Sequence, residues 1–341
     1  MAKQTEQSSW VQKSKNEINS VLAKFNKSKV IFKSPTKKWQ IAIRWMLFFG
    51  PLLTLVAIFI FAMFYIKKTP GLYYFIPVVT IILGLVFDGF IIYYLIKWTK
   101  IMRLQKNILD NLDFKKLYDW GLKETFEDKI DVINISSSYN LPPSKVVNLE
   151  NNTKIDQVLN LHHTSFEISL GSITHKTKKK TSSNYTEPIF YRVPILTLKP
   201  LKKPVKDNMI IQLVDLNNDF FRPAQTVKTG NPTFDDIFVV GSNQKDLSHV
   251  LPPSVQTKLI AEQQKSATIP VMIFEDGILT LIFQSYLVDG WNDHKMVIND
   301  VEFFSDWDHV TNDIITKMQI DLNWLKDSLN WANQFDIVDV K

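Results

Sequence analysis

Two long apolar runs, separated by a short polar tip, constrain this chain more than any other feature. Residues 45–66 carry no charge over 22 positions, and residues 72–96 carry one charge, Asp88, over 25 positions. At about 1.5 Å per residue, each run as a helix can cross a hydrocarbon core of roughly 30 Å. A core helix of a soluble protein is apolar mainly on one face rather than all round. We therefore predict a transmembrane helical hairpin with spans at 45–66 and 72–96.

Basic residues are unevenly distributed around these two runs. Residues 1–44 carry ten Lys or Arg against two Glu, six more basic residues follow within twenty positions of the second run, and the tip carries two. The positive-inside rule then places both termini in the cytoplasm, at the inner face of the cell membrane. The lipid bilayer and its anionic inner-leaflet lipids are the expected partners of these juxtamembrane side chains, each of which gains about 1 kcal/mol near such a surface.

Composition excludes several classes of function. The formal net charge of the chain is +6, and the basic tail at 1–44 alone carries +8 (ten Lys or Arg minus two Glu). The folded remainder is therefore near neutral, and we expect no nucleic-acid partner. The absence of cysteine excludes disulfides, thiolate nucleophiles and Cys-containing zinc sites. The chain contains neither a phosphate-binding glycine loop nor a His-Glu-x-x-His motif nor a nucleophile elbow. We expect no enzyme activity, no catalytic residues, no cofactor and no metal.

Periodicity predicts an α+β fold beyond the hairpin. We expect an amphipathic helix at about 8–29 within the tail, a juxtamembrane helix at 97–123, and a cytoplasmic α+β domain at 124–341 with an antiparallel sheet. A long C-terminal helix at about 306–332 closes this domain. The amphipathic helix could lie on the bilayer surface or pack on protein. We favour packing against the apolar stripe that runs through Ile101, Leu104, Ile108 and Leu112.

Alternating residues predict the strands of the domain. We expect strands at 130–136, 166–170, 189–193, 209–214 and 234–240, a helix start at Leu251-Pro252-Pro253, and a hairpin at 269–286. The hairpin turns at Asp276-Gly277, a pair suited to the positive φ of a two-residue turn. Pairing across that turn sets Phe274 opposite Leu279 and places both on the core face.

Two sets of polar residues are candidates for function. Asp88 lies inside the second run, where a charge costs at least a few kcal/mol, and matched depths in an antiparallel hairpin place it near Thr54. A packing or oligomerisation role and a transport role are both open for it. The second set is Lys176, Lys178, Lys179 and Lys180, in a predicted loop at 174–183. These lysines could contact anionic lipid or an acidic partner, or the loop could simply be solvated.

One segment carries a family resemblance. Residues 232–244, with the sequence PTFDDIFVVGSNQ, are followed by Leu251-Pro252-Pro253 and the hairpin at 269–283. This series resembles the core of the bacterial domain-of-unknown-function family 3137. The resemblance covers about residues 10–290 and implies two adjacent spans, a following helix and a cytoplasmic α+β domain. It also implies a LemA-type membrane protein as partner, and it supplies no catalytic residues. The lysine-rich segment at 176–180 and the long final helix depart from the family pattern.

These observations favour an integral membrane protein whose cytoplasmic α+β domain binds or scaffolds another protein at the inner membrane face. Two other classes are open. One is a small transporter or channel subunit that uses Asp88. The other is a membrane-anchored ligand-binding sensor or enzyme. Homo-oligomerisation is open as well.

Overall fold

The computed structural model describes residues 9–25, 37–68, 71, 75–136, 153–155, 158–180, 186–200, 208–214, 225–244, 247–266, 269–283 and 309–335. The chain divides into two compact units. The first unit comprises residues 1–18, 113–300 and 314–341, and the second comprises residues 19–112 and 301–313. The fold is α+β, with an antiparallel sheet and a long C-terminal helix.

The second unit is built on a helical hairpin. Helix α2 (Lys37–Ile66) and helix α3 (Phe75–Asp110) pack along one another. A Cβ added to Gly84 of α3 would overlap the hydroxyl oxygen of Thr54 in α2. Both residues lie roughly three turns from the connection between the helices. The two helices are therefore antiparallel and approach most closely where glycine allows it.

The helix that follows α3 is separate from it. Helix α4 (Phe114–Thr125) begins after a break at 111–113, where the Asp113 carboxylate accepts a 3.0 Å hydrogen bond from the Lys116 amide. The prediction of one helix over 97–123 is wrong at this point. An Asp at the N-cap satisfies an amide that has no partner inside the helix, so the capping residue starts a new helix where the apolar stripe alone suggests continuity.

Helix α1 (Ser9–Leu22) corresponds to the predicted amphipathic helix but is shorter than the interval 8–29. Residues 26–29 of that interval lie outside the described residues. The apolar face of α1 is buried within the protein, including Trp10, Val11 and Ile18. Ile108 and Leu112, two of the residues predicted to pack against this helix, are buried, and that packing stays a prediction.

The first unit contains a ten-stranded antiparallel sheet. The strands are β1 (Ile130–Ser136), β2 (Thr153–Ile155), β3 (Val158–His163), β4 (Phe166–Lys180), β5 (Thr186–Pro200), β6 (Met209–Leu213), β7 (Thr226–Val227), β8 (Phe238–Ser242), β9 (Pro270–Glu275) and β10 (Ile278–Phe283). Their spatial order is β1-β3-β4-β5-β10-β9-β6-β8-β7, and β2 pairs with β4. Two short helices, α5 (Pro232–Ile237) and α6 (Pro253–Lys265), lie between the later strands in sequence.

The core of this unit lies between the sheet and the C-terminal helix α7 (Val310–Asn333). The Phe283 ring stacks on Trp324 with centroids 6.2 Å apart, and Phe274 meets Phe335 edge-on at 4.8 Å. Leu196, Leu281 and other residues on the same sheet face are fully buried. α7 begins four residues later than predicted, and residues 306–308 lie outside the described residues.

The β9–β10 hairpin confirms its prediction in detail. Phe274 pairs with Leu279, and Met272 pairs with Leu281. Asp276 and Gly277 have φ values of 50° and 82°, which a two-residue turn requires at both central positions. The local sequence thus determines both the turn and the register of this hairpin.

Two strand predictions are wrong in part. Residues 234–237 belong to α5, because Asn231 caps the helix by accepting from the Phe234 amide and Pro232 occupies its first turn. The predicted loop at 174–183 is largely strand, since β4 extends to Lys180 and β5 begins at Thr186. Residues 166–170 therefore pair with 196–200, and residues 189–193 pair with 173–177.

Candidate functional site

The long β4–β5 hairpin extends beyond the strands on either side of it. β10 pairs with residues 195–198 of β5, and β3 pairs with residues 166–170 of β4. β2 adds three pairs at residues 173–175. Beyond those, residues 176–180 and 186–190 pair only with each other among the described residues. We call residues 173–180 and 186–193, together with β2, the β-arm.

The register divides the basic residues of the β-arm between its two faces. Pairing is continuous over all fifteen β4–β5 pairs, with no bulge. Because directly paired residues share a face and alternate residues along a strand share a face, each position can be assigned. One face, the basic face, holds five basic residues and no acid: Lys154, Lys176, Lys178, Lys180 and Arg192.

The opposite face of the β-arm is close to electrically neutral. Lys179 lies on this face, directly across from Glu187. By register, three of the four predicted lysines share one face of the strand pair and Lys179 falls on the other. Sequence reasoning missed Lys154 and Arg192 as members of the same set. Continuing the alternation of β5 backward from Leu196 would have found Arg192, whereas nothing local to Lys154 indicates that β2 pairs with Thr174.

The other predicted site lies on the helical hairpin. Asp88 is half-buried and follows Gly84 by one helical turn, and Ile91, also buried, continues the same face of α3. This face is the one that meets Thr54 of α2 at Gly84. The structure therefore places Asp88 one helical turn from Gly84, which meets Thr54, and on the side of α3 that packs against α2.

Outside this contact, the hairpin is covered with exposed apolar side chains. Of the twenty-six large apolar side chains that are exposed in the described part of the chain, twenty-three lie within residues 52–96. By length and composition, Phe75–Lys97 is the one helical segment among the described residues that could cross a membrane. Thr54–Ile66 is a shorter apolar helical segment. Exposed apolar surface of this extent is typical of contact with lipid or another protein.

A three-helix cluster in the first unit joins distant parts of the chain. The backbone amide of Trp10 in α1 donates to the Glu124 carboxylate of α4 at 2.8 Å, and Lys116 forms a 3.0 Å ion pair with Glu17. A Cβ on Gly121 of α4 would lie 3.7 Å from the Trp10 ring and 2.7 Å from Leu322 of α7. α1 and α4 are thus antiparallel, and α7 lies beside them at Gly121.

A buried polar pair lies within this cluster. The Tyr118 hydroxyl donates to Asp321 Oδ2 at 2.5 Å, and neither side chain is exposed to solvent. Burial, followed by the charge of Asp321 and their hydrogen bond, raises the pKa of Tyr118 well above its ordinary value. The phenol therefore stays protonated and remains a donor at physiological pH. This arrangement links α4 to α7 and exposes no reactive group.

Within the described residues, no group of three or more His, Asp or Glu side chains could hold a metal ion. Compared with known proteins, the chain matches no family model, no curated protein and no solved structure. The resemblance to family 3137 stays a prediction.

Proposed function

We propose that this chain is an integral membrane protein with two spans, formed by α2 and α3, that holds its α+β domain at the inner face of the cell membrane. The domain serves there as a protein-binding or scaffolding module. Both termini lie on the cytoplasmic side.

The observation that carries this proposal is the packing of α1 with α4 and α7. Trp10 and Glu17 precede the hairpin, while their partners Glu124 and Lys116 follow it. In the second unit, the Thr311 hydroxyl likewise donates to Asn19 Oδ1 at 2.7 Å, which joins residues before and after the hairpin. Residues in direct contact lie on one side of a membrane. The chain between residues 19 and 112 must therefore cross a bilayer an even number of times.

An even number leaves two crossings or none. If Phe75–Lys97 spans the bilayer, then α2 must be the second span, since its uncharged residues 45–66 supply the length. No crossing at all would leave the twenty-three apolar side chains of residues 52–96 in water. The largest apolar patches on soluble monomers are far smaller than such a surface. Two spans satisfy both observations.

Charge supports the cytoplasmic orientation. Lys97, Lys100, Arg103 and Lys106 are exposed on α3 immediately after the apolar run, and the basic tail precedes α2. Short segments rich in Lys and Arg stay on the cytoplasmic side. The scaffolding role rests on the absence of recognisable catalytic motifs in the sequence and on the resemblance to family 3137, which suggests a LemA-type partner.

Labelling of single cysteines tests the topology directly, because the chain has no cysteine of its own. We would introduce Lys67→Cys at the tip and, separately, Lys265→Cys on α6; both parent residues are exposed. A membrane-impermeant maleimide should label the tip variant in intact cells and should label the α6 variant only after permeabilisation. Labelling after detergent solubilisation controls for reactivity. Labelling of the α6 variant in intact cells would overturn the orientation, and a tip that stays unlabelled until lysis would overturn the two-span topology.

The same variants test the scaffolding role. A short photo-crosslinker on Lys265→Cys in native membranes should capture a LemA-type protein if the family resemblance is correct. Capture from Lys67→Cys alone would instead favour a partner that binds the membrane hairpin.

A further inference from the structure

We propose that the basic face of the β-arm binds the anionic headgroups of the membrane in which the α2–α3 hairpin is embedded. This inference rests on the proposed membrane location and adds to it a second, reversible contact with lipid. Electrostatic attraction between the β-arm and anionic headgroups would hold the domain against an acidic leaflet.

The first argument is the separation of charge between the faces. Five basic residues share the basic face without an acid, while the single lysine of the opposite face is paired across the ladder with Glu187. Alternate residues of a strand are about 6.6–6.8 Å apart, and neighbouring strands are about 4.8 Å apart. The five basic positions are therefore close together along the strands. Lysines that only kept the hairpin soluble would have no reason to be concentrated on one face.

The second argument is the change of character along one continuous face. Lys176, Lys178 and Lys180 are on the same side of β4 as Ile168 and Leu170, which are buried in the sheet core. Along the core this face is apolar, whereas along the β-arm its basic residues share it with Thr174, Thr186, Pro188 and Phe190. A face that gains several basic residues along one strand pair is suited to meeting something other than the protein core.

The third argument concerns stability. A two-stranded hairpin without a third strand is marginally stable in water, and residues 176–180 and 186–190 have no third strand among the described residues. Contact with a flat anionic surface would stabilise this outer part. Tethering of the domain to a span raises the effective concentration of lipid at the β-arm, so that weak individual contacts suffice.

Lysines on an open strand edge also discourage edge-to-edge aggregation, which is the simplest other explanation for them. That explanation depends on charge at the edge and not on the face that carries it. It therefore predicts that removing Lys178 and removing Lys179 change docking of the β-arm equally. Lipid binding predicts unequal effects, because Lys178 is on the basic face and Lys179 is opposite Glu187.

The test uses the full chain reconstituted in nanodiscs. A donor fluorophore is placed on Thr177→Cys, on the neutral face of the β-arm, and an acceptor is carried by lipid headgroups. Discs of pure phosphatidylcholine are compared with discs that contain phosphatidylglycerol as the anionic lipid. Energy transfer reports the ratio of docked to undocked β-arm, and added salt should lower it because screening weakens contacts with phosphate.

We expect strong transfer only in the anionic discs. A basic residue near an acidic surface contributes roughly a fivefold change in affinity. The triple variant Lys176→Gln, Lys178→Gln and Lys180→Gln should therefore lower the docked-to-undocked ratio on the order of a hundredfold. Lys179→Gln should leave it within about twofold. A charge-matched control replaces three exposed lysines elsewhere in the unit, Lys129, Lys228 and Lys265, by Gln and should retain docking.

Three outcomes would overturn the inference. Equal transfer in neutral and anionic discs would show contact that is not electrostatic. Equal loss for the triple variant and its charge-matched control would show a dependence on total charge alone. No transfer in either disc, from a chain that has entered the disc, would show that the β-arm does not meet lipid headgroups. A chain that fails to enter nanodiscs at all would instead refute the proposed membrane topology, so the two failures are distinguishable.

Discussion

The sheet unit and the helical hairpin use the same apolar residue types in opposite ways. In the sheet unit, Phe274, Phe283 and Leu281 are fully buried between the strands and α7. In the hairpin, Phe90 is 66% exposed and Leu55 is 65% exposed. Burial in the sheet unit removes apolar surface from water, which stabilises the fold by about 25 cal/mol per Å² of apolar area. The hairpin gains nothing comparable within its own unit.

The difference supports the proposal that the hairpin lies in lipid, whereas the sheet unit folds in water. The hairpin keeps only a narrow seam for contact between its helices, and glycine at position 84 lets their backbones approach there. Small residues at such contacts are typical of helices that associate in lipid, where burial of apolar surface gives no advantage over the hydrocarbon. Removing the same side-chain atoms should therefore change the free energy of unfolding by different amounts in the sheet unit and in the hairpin.

The largest effect is expected for a buried aromatic ring. Phe274→Ala removes a ring that is fully buried and contacts Phe335, and it should lower the free energy of unfolding by about 3–5 kcal/mol. Phe90→Ala makes the same chemical change in the hairpin and should alter unfolding of the sheet unit by less than about 0.5 kcal/mol. Urea unfolding of the detergent-solubilised chain, followed by fluorescence, measures both. Equal losses would contradict the comparison.

A smaller effect is expected in the seam of the hairpin. Gly84→Ala adds a methyl group that overlaps the Thr54 hydroxyl and should destabilise α2–α3 packing by about 1–3 kcal/mol. Gly89→Ala is the matched control, because nothing lies within 4 Å of the added atom. Thermal unfolding in micelles compares them. Adding Thr54→Ala to Gly84→Ala should restore much of the loss, and no recovery would show that the two positions do not meet.

The smallest change is the removal of one oxygen atom. Tyr118→Phe leaves the buried Asp321 carboxyl without this donor and should cost about 1–3 kcal/mol near neutral pH. Tyr65→Phe removes the same atom from a side chain that is 74% exposed and should cost nothing measurable in unfolding experiments.

The Tyr118 contribution should also depend on pH. Because its pKa is raised in the folded protein, the folded state keeps a proton that the unfolded chain loses above about pH 10. The free-energy difference between wild type and Tyr118→Phe should be constant below about pH 10 and should shrink above it. Unfolding titrations between pH 7 and pH 11 test this, and a difference that grows with pH would refute the assigned direction.

Features that depend on neighbouring residues could be predicted from the sequence. The β9–β10 register follows from Asp276-Gly277 and the alternation on either side, and the structure reproduces it pair by pair. The start of α6 after Leu251-Pro252 was predictable for the same reason. The α5 helix was missed because residues 234–240 have strand-like side chains, while the Asn231 cap and Pro232 favour a helical turn.

Features that depend on distant partners could not be predicted in this way. The segment at 174–183 resembles a loop because it holds only Lys, Thr, Ser and His and has no apolar alternation, and only pairing with β5 makes residues 174–180 a strand. Division of the lysines between two faces follows from that pairing. The apolar face of α1 was evident in the sequence, whereas its contacts with α4 lie about a hundred residues away and have no local signal.

The packing of α1 also has a consequence for biosynthesis. α7, which lies beside α1 and α4 at Gly121, is synthesised roughly 300 residues after α1. At 5–20 residues per second, that interval is roughly 15–60 s. The α2–α3 hairpin is synthesised within the same interval. The cluster of α1, α4 and α7 can therefore close only after the whole hairpin has been synthesised.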